Sequence, residues 1–192
     1  MQAFRRSILA ASLMFGAMTP AAFASDGTIT FTGRITTQTC VISGNGGGNN
    51  FTVALPTVSA TTLGTAGNVA GRTPFNIRLT GCTPNTGNVA VHFEPGATVD
   101  TATGRLINTA VATPAAGDAA GVPPATHVQV GLLNADMTNI AVGSAFAAQN
   151  SQQVPLADGA ATLQYYAQYV ATGGAATAGN LTTTATYSVV YP

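Results

Sequence analysis

Both ends of the chain carry alternating apolar runs, and these constrain the fold more than any other feature. Residues 27–35, Gly-Thr-Ile-Thr-Phe-Thr-Gly-Arg-Ile, place Ile29, Phe31, Gly33 and Ile35 on one face. Thr28, Thr30, Thr32 and Arg34 fall on the other. The last eight residues repeat the pattern, with Ala185, Tyr187, Val189 and Tyr191 on one face ahead of the final Pro192. A period of two is the mark of a β-strand with one buried side. Chain ends ordinarily fray, so an apolar strand at each end requires a partner, and the pattern predicts pairing outside the subunit.

The stretch before the first strand reads as a signal peptide. Arg5 and Arg6 supply a positive start, Ile8 to Met18 form a short apolar centre, and Ala22-Phe-Ala24 is a small-residue cleavage site. The apolar run is too short to anchor in a bilayer. Cleavage before Ser25 leaves 168 of the 192 residues, the size of one ordinary domain. That mature chain has four Arg, no Lys, five Asp and one Glu, a formal charge of −2. It offers no electrostatic footprint for nucleic acid. So sparsely charged a surface suits packing against copies of itself.

Strand signals fill the interior. Phe51, Val53 and Leu55 alternate, as do Phe75, Ile77 and Leu79, then Val89, Val91 and Phe93, then Val128, Val130 and Leu132. Leu163–Ala171 is expected to be the longest strand, residues 105–108 a short one, and residues 154–156 an edge strand beside Pro155. Residues 43–50 and 110–124 read as loops, rich in Gly and Asn or in Ala, Gly and Pro. No segment of the mature chain has a convincing helical period. Many short strands with Gly/Pro punctuation predict an all-β sandwich of immunoglobulin type.

Two cysteines in an exported chain, Cys40 and Cys82, read as one disulfide. Closing a loop of about 40 residues contributes roughly 4 kcal/mol on the chain-entropy estimate. No CxxC spacing is present, and the mature histidines, His92 and His127, are isolated. No GxSxG elbow, HExxH helix or Walker loop occurs either. The expectation is therefore no enzyme, no cofactor and no metal site. Mass spectrometry of purified protein should find a chain starting at Ser25 and two hydrogens lighter than its reduced form. Free thiols at Cys40 and Cys82 would refute this.

These residues resemble the pilin subunits of chaperone–usher fimbriae, type 1 pilus class. The resemblance spans essentially the whole mature chain. It rests on residues 27–33 followed by Cys40, on Phe75-Asn-Ile-Arg-Leu-Thr-Gly-Cys82, and on Tyr166-Ala-Gln-Tyr169 before a Gly-rich turn. It closes with Gly179, then alternating Ala185, Tyr187, Val189 and the penultimate Tyr191. The resemblance implies an incomplete immunoglobulin-like β-sandwich lacking its last strand, completed by a donor strand from another subunit. Residues 1–24 would be the signal peptide, 25–39 the donor-strand extension and 40–192 the pilin domain. Ile29, Phe31 and Ile35 would be the donated side chains, with Gly33 where the groove admits none. Gly179, Ala185, Tyr187, Val189 and Tyr191 would form the groove edge gripped by the chaperone. The implied partners are a periplasmic chaperone, an outer-membrane usher and neighbouring pilins. The implied function is that of a structural subunit polymerising into an adhesive surface fibre. A receptor-binding tip adhesin is the alternative, set back because the chain has one domain and a clear donor strand. A secreted enzyme on the same fold is third.

Overall fold

The computed structural model describes residues 28–114 and 121–192. The proposed signal peptide lies outside the described residues. The chain divides into two units, Met1–Ile35 and Thr36–Pro192. In the first, residues 28–35 form no strand and every one is exposed.

The second unit is almost entirely β. Its strands are β1 (Thr39–Gly44), β2 (Val69–Thr83), β3 (Asn88–Phe93), β4 (Val99–Asp100) and β5 (Arg105–Ile107). They continue as β6 (Val128–Asn134), β7 (Asn139–Ile140), β8 (Gln153–Pro155), β9 (Ala161–Ala171) and β10 (Tyr187–Val190). The larger sheet runs β1-β2-β9-β6-β5-β4, with β7 also on β6. The smaller runs β10-β3-β8. All the strand pairs are antiparallel. The two sheets sandwich a core made by alternate residues of each, including Phe75, Ile77 and Leu79 of β2, Val89, Val91 and Phe93 of β3, and Leu163, Tyr165 and Ala167 of β9.

Tyr165 sits at the centre of that core. Its ring lies 5.6 Å from Phe75 and edge-on to Phe93 at 5.4 Å. Burial pushes its phenol up to about 12, because the low-dielectric interior disfavours the phenolate. Gln149, in the four-residue helix α1 (Phe146–Gln149), is fully buried as well. Its amide accepts from the Phe93 N–H at 2.8 Å and donates to the Phe93 carbonyl at 2.7 Å. A side chain thus supplies what a neighbouring strand would supply there.

Two expectations are corrected. The longest strand is β2, at 15 residues, rather than Leu163–Ala171, whose strand β9 has 11. β2 runs through Gly71, Pro74 and Gly81 and absorbs Gly71 in a register shift between Ala70 and Thr73. Gly71 holds a positive φ of 64° there, a conformation open to glycine at no steric cost. Residues 51–55 were expected as a strand and make none, although Phe51, Val53 and Leu55 are half-buried while Thr52 and Ala54 are exposed. The edge strand expected at residues 154–156 is present as β8, at the margin of the smaller sheet.

Candidate functional site

The terminal strand begins its alternation earlier than the last eight residues. From Leu181 to Val189 the odd-numbered residues are half-buried and the even-numbered ones exposed. Leu181, Ala185, Tyr187, Val189 and Tyr191 all pack against the core. Hydrogen bonding alternates in step. The carbonyls of Thr182, Thr184 and Thr186 accept from Thr109, Thr98 and Glu94 respectively. From Tyr187 on, the strand pairs with β3, Val189 opposite Val91. In an extended chain, successive residues turn their N–H and C=O to opposite sides. The even-numbered residues are therefore satisfied by the sandwich, and the backbone groups of Leu181, Thr183 and Ala185 face the open side.

Across from that open side runs the second rim, residues 49–55. The backbone of residues 50–58 makes no hydrogen bond among the described residues. Between the rims lies a groove of about 680 Å³. Its floor is the sandwich core itself, including Phe75, Ile77, Phe93, Leu106, Val130 and Leu132. These floor residues are each 5% exposed or less, so what the groove leaves open is its unpaired strand edges, the feature that normally promotes association through strands.

One end of the groove is tied shut. The Tyr187 hydroxyl donates to the Asn49 carbonyl at 2.7 Å. The Phe51 ring stands edge-on to Tyr187 at 6.3 Å and rests above Gly44, where a β-carbon would overlap it. Further along, the Tyr191 hydroxyl reaches Cys40 Sγ at 3.5 Å. Partial burial raises both tyrosine phenols above their ordinary value. Cys40 is disulfide-bonded to Cys82, joining β1 to the far end of β2.

Of the residues expected at the groove edge, Ala185, Tyr187, Val189 and Tyr191 lie together on the terminal strand's inner face. Ala185 and Tyr187 line the groove directly. Gly179 does not. It packs against residues 123–125, where a β-carbon would come within 2.5 Å of the Ala125 nitrogen and the Pro123 carbonyl oxygen. Its role is to let the chain pass that backbone before the strand begins. Leu181 and Thr183 escaped the sequence reading because a run of threonines hides the alternation. Ile29, Phe31 and Ile35, in the N-terminal unit, are 80%, 89% and 100% exposed.

The isolated histidines take structural positions. His92 Nε2–H donates to the Ser144 carbonyl at 3.0 Å, with Nδ1 3.4 Å from Glu94. Among the described residues, no three His, Cys, Asp or Glu side chains converge to hold a metal, and no helix is long and apolar enough to cross a membrane.

Comparison with known proteins gives this groove its context. Residues 55–192 match the family model of the type-1 fimbrial protein FimA. The chain is 50% identical to the major fimbrial subunit SMF-1 of Stenotrophomonas maltophilia, over 93% of this chain and 99% of that one. It is 45% identical to the F17 fimbrial protein of Escherichia coli, over 93% and 94%. Among solved structures, a chaperone–usher pilus subunit superposes with a TM-score of 0.57 at 20% identity, covering 91% of this chain and all of that one. The fold is thus an immunoglobulin-like sandwich lacking its final strand, and the family is one of structural subunits rather than enzymes. The chain belongs to the type-1 fimbrial protein family: it is a structural pilin, exported to the cell surface and assembled with other subunits into a fimbrial fibre.

Proposed function

We propose that the fibre forms by donor-strand exchange, with the extension up to Gln38 of one subunit filling the groove of the next, Thr39 already belonging to the subunit's own β1. The observation that carries this is the match between two halves of one strand arrangement. The groove has an apolar floor, a rim at residues 50–58 without backbone partners and a free edge at Leu181, Thr183 and Ala185, and residues 28–35 carry an exposed apolar face outside any strand. Ile29, Phe31 and Ile35 moved from water into the groove contribute about 1.5–3 kcal/mol each. Main-chain hydrogen bonds to the free edge at Leu181, Thr183 and Ala185 add directionality, as in other strand additions. Such head-to-tail pairing does not close on itself and so extends into a filament.

Before assembly the same groove needs a temporary occupant. A periplasmic chaperone lending a strand, gripping Ala185–Tyr191, and an outer-membrane usher exchanging it for the next subunit fit this requirement. The pilus subunit with the matching fold comes from a chaperone–usher system. A tip adhesin is disfavoured, since the curated relatives of matching length are fimbrial subunits.

The test is Gly33→Leu. Gly33 has no neighbouring atom within 4 Å where a β-carbon would stand, so leucine leaves the subunit's own fold intact. In a fitted groove the added bulk costs about 1–3 kcal/mol or more. The variant should fold and bind its chaperone yet form no fibres by electron microscopy. Normal fibres would refute donor-strand exchange.

A further inference from the structure

We infer that the loop carrying Val111 and Val122 is a second docking surface of the fibre, seating the first strand of the incoming subunit around its Val41. This rests on the donor-strand reading above and adds to it a contact between the folded bodies of two copies.

The loop is fastened to the end of the groove where the free edge begins. Asn108 Nδ2 donates to the carbonyls of Ala125 and Asn180 at 2.8 and 2.9 Å, and the Thr109 N–H donates to the Thr182 carbonyl at 2.8 Å. The Asn180 N–H donates to the Pro123 carbonyl at 2.9 Å, and the Thr113 N–H to the Val122 carbonyl at 3.0 Å. Val111 and Val122 therefore ride on segments tied to residues 180–182, and they stand 80% and 46% exposed. Scattered exposed valines are ordinary on a protein surface. What singles these two out is their place.

Chain length decides what meets them. The strand pairs of the sandwich are antiparallel, and a donor paired likewise with the terminal strand has its C-terminal end at Leu181. Residues 29–35 and 181–187 are equally long, so a donor that fills the groove brings Ile35 to that end. Only residues 36–38 separate Ile35 from Thr39, where β1 of the incoming subunit begins. Four steps of extended chain reach at most about 14 Å. The incoming body is thus held against the mouth of the groove, with the start of β1 foremost. Two residues into that strand, Val41 is 67% exposed. Residues 106–114 and 121–126 on one side, and 36–44 on the other, carry no charged side chain. Their apposition withdraws apolar surface from water without burying a charge, so the contact is favourable on both counts.

The experiment measures how fast purified fibres dissociate in guanidinium chloride. Val111→Ser with Val122→Ser should speed dissociation at least about tenfold, the factor that re-exposing two valines commands. Val41→Ser should speed it by a smaller factor alone and by almost nothing in the double-serine background, because residues in contact are coupled. The control is the full chain with a second copy of residues 26–37 linked to its C-terminus, whose groove is filled without a neighbouring body. There the two serines should leave the melting temperature within about 2 °C of the parent, as substitutions at exposed positions do. Fibres that dissociate at the parental rate overturn the inference. So do losses at Val41 and at the two loop valines that multiply independently, or a control destabilised as strongly as the fibre. If the appended copy itself leaves melting unchanged, donor-strand exchange fails and this inference with it. A raised melting temperature with parental fibre dissociation in the double-serine variant removes this inference alone.

Discussion

The chain bearing an appended copy of residues 26–37 should melt at least about 10 °C above the subunit freed of its chaperone, and stay monomeric. Three donated side chains contribute about 5–9 kcal/mol before ordering costs, and each net kcal/mol raises the melting temperature of a chain this size by about 2–4 °C. The linker makes the second strand intramolecular, at an effective concentration near the millimolar range for a short flexible connection. Linker length also reports orientation. A donor running antiparallel to the terminal strand starts beside that strand's C-terminal end, so a hairpin-sized linker of about three to five residues suffices. A parallel donor would need a linker spanning most of the groove, about 3.3 Å per residue crossed. Differential scanning calorimetry across a linker series measures both. An appended strand that changes neither solubility nor melting would sink the donor-strand mechanism.

Removal of residues 185–192 should abolish chaperone capture and leave the subunit to periplasmic proteolysis. The deletion takes away β10 and uncovers the β3 edge, so Val91 and Phe93, each 3% exposed or less, lose the strand paired with them. It also removes Tyr187, whose hydroxyl ties the two groove rims through Asn49. Tyr191→Ala is the milder version, deleting the ring that reaches Cys40. The measurement is co-purification with the chaperone, together with the periplasmic level of the subunit. A truncated protein recovered with chaperone at the normal level would count against the terminal strand as the gripped edge.

Much of the fold could be read from residue order because it depends on local alternation. Phe75, Ile77 and Leu79, or Val89, Val91 and Phe93, must share a face in any extended chain, and each triplet is buried in the core. Lone cysteines in an exported chain have no other partner, and Cys40 and Cys82 are bonded. The inner face of the terminal strand, Ala185 to Tyr191, was legible for the same reason. The length of β2 was not legible, since the strand passes Gly71 by a register shift between Ala70 and Thr73 that no local pattern announces.

What the sequence alone determined is therefore the identity of the alternating faces and the presence of two apolar runs, at residues 27–35 and 185–191, that called for partners. Only the tertiary structure decided what lies beside them. Residues 51–55 alternate like a strand, yet their backbone stays unpaired because the position between them and the terminal strand is empty of chain. That vacancy is a property of how the sheets stack, as is the placing of Gly179 against residues 123–125 and of Gln149 beneath Phe93. Alternation is set by the geometry of one extended chain, whereas a groove exists only where separate segments come together around a strand the subunit does not supply to itself.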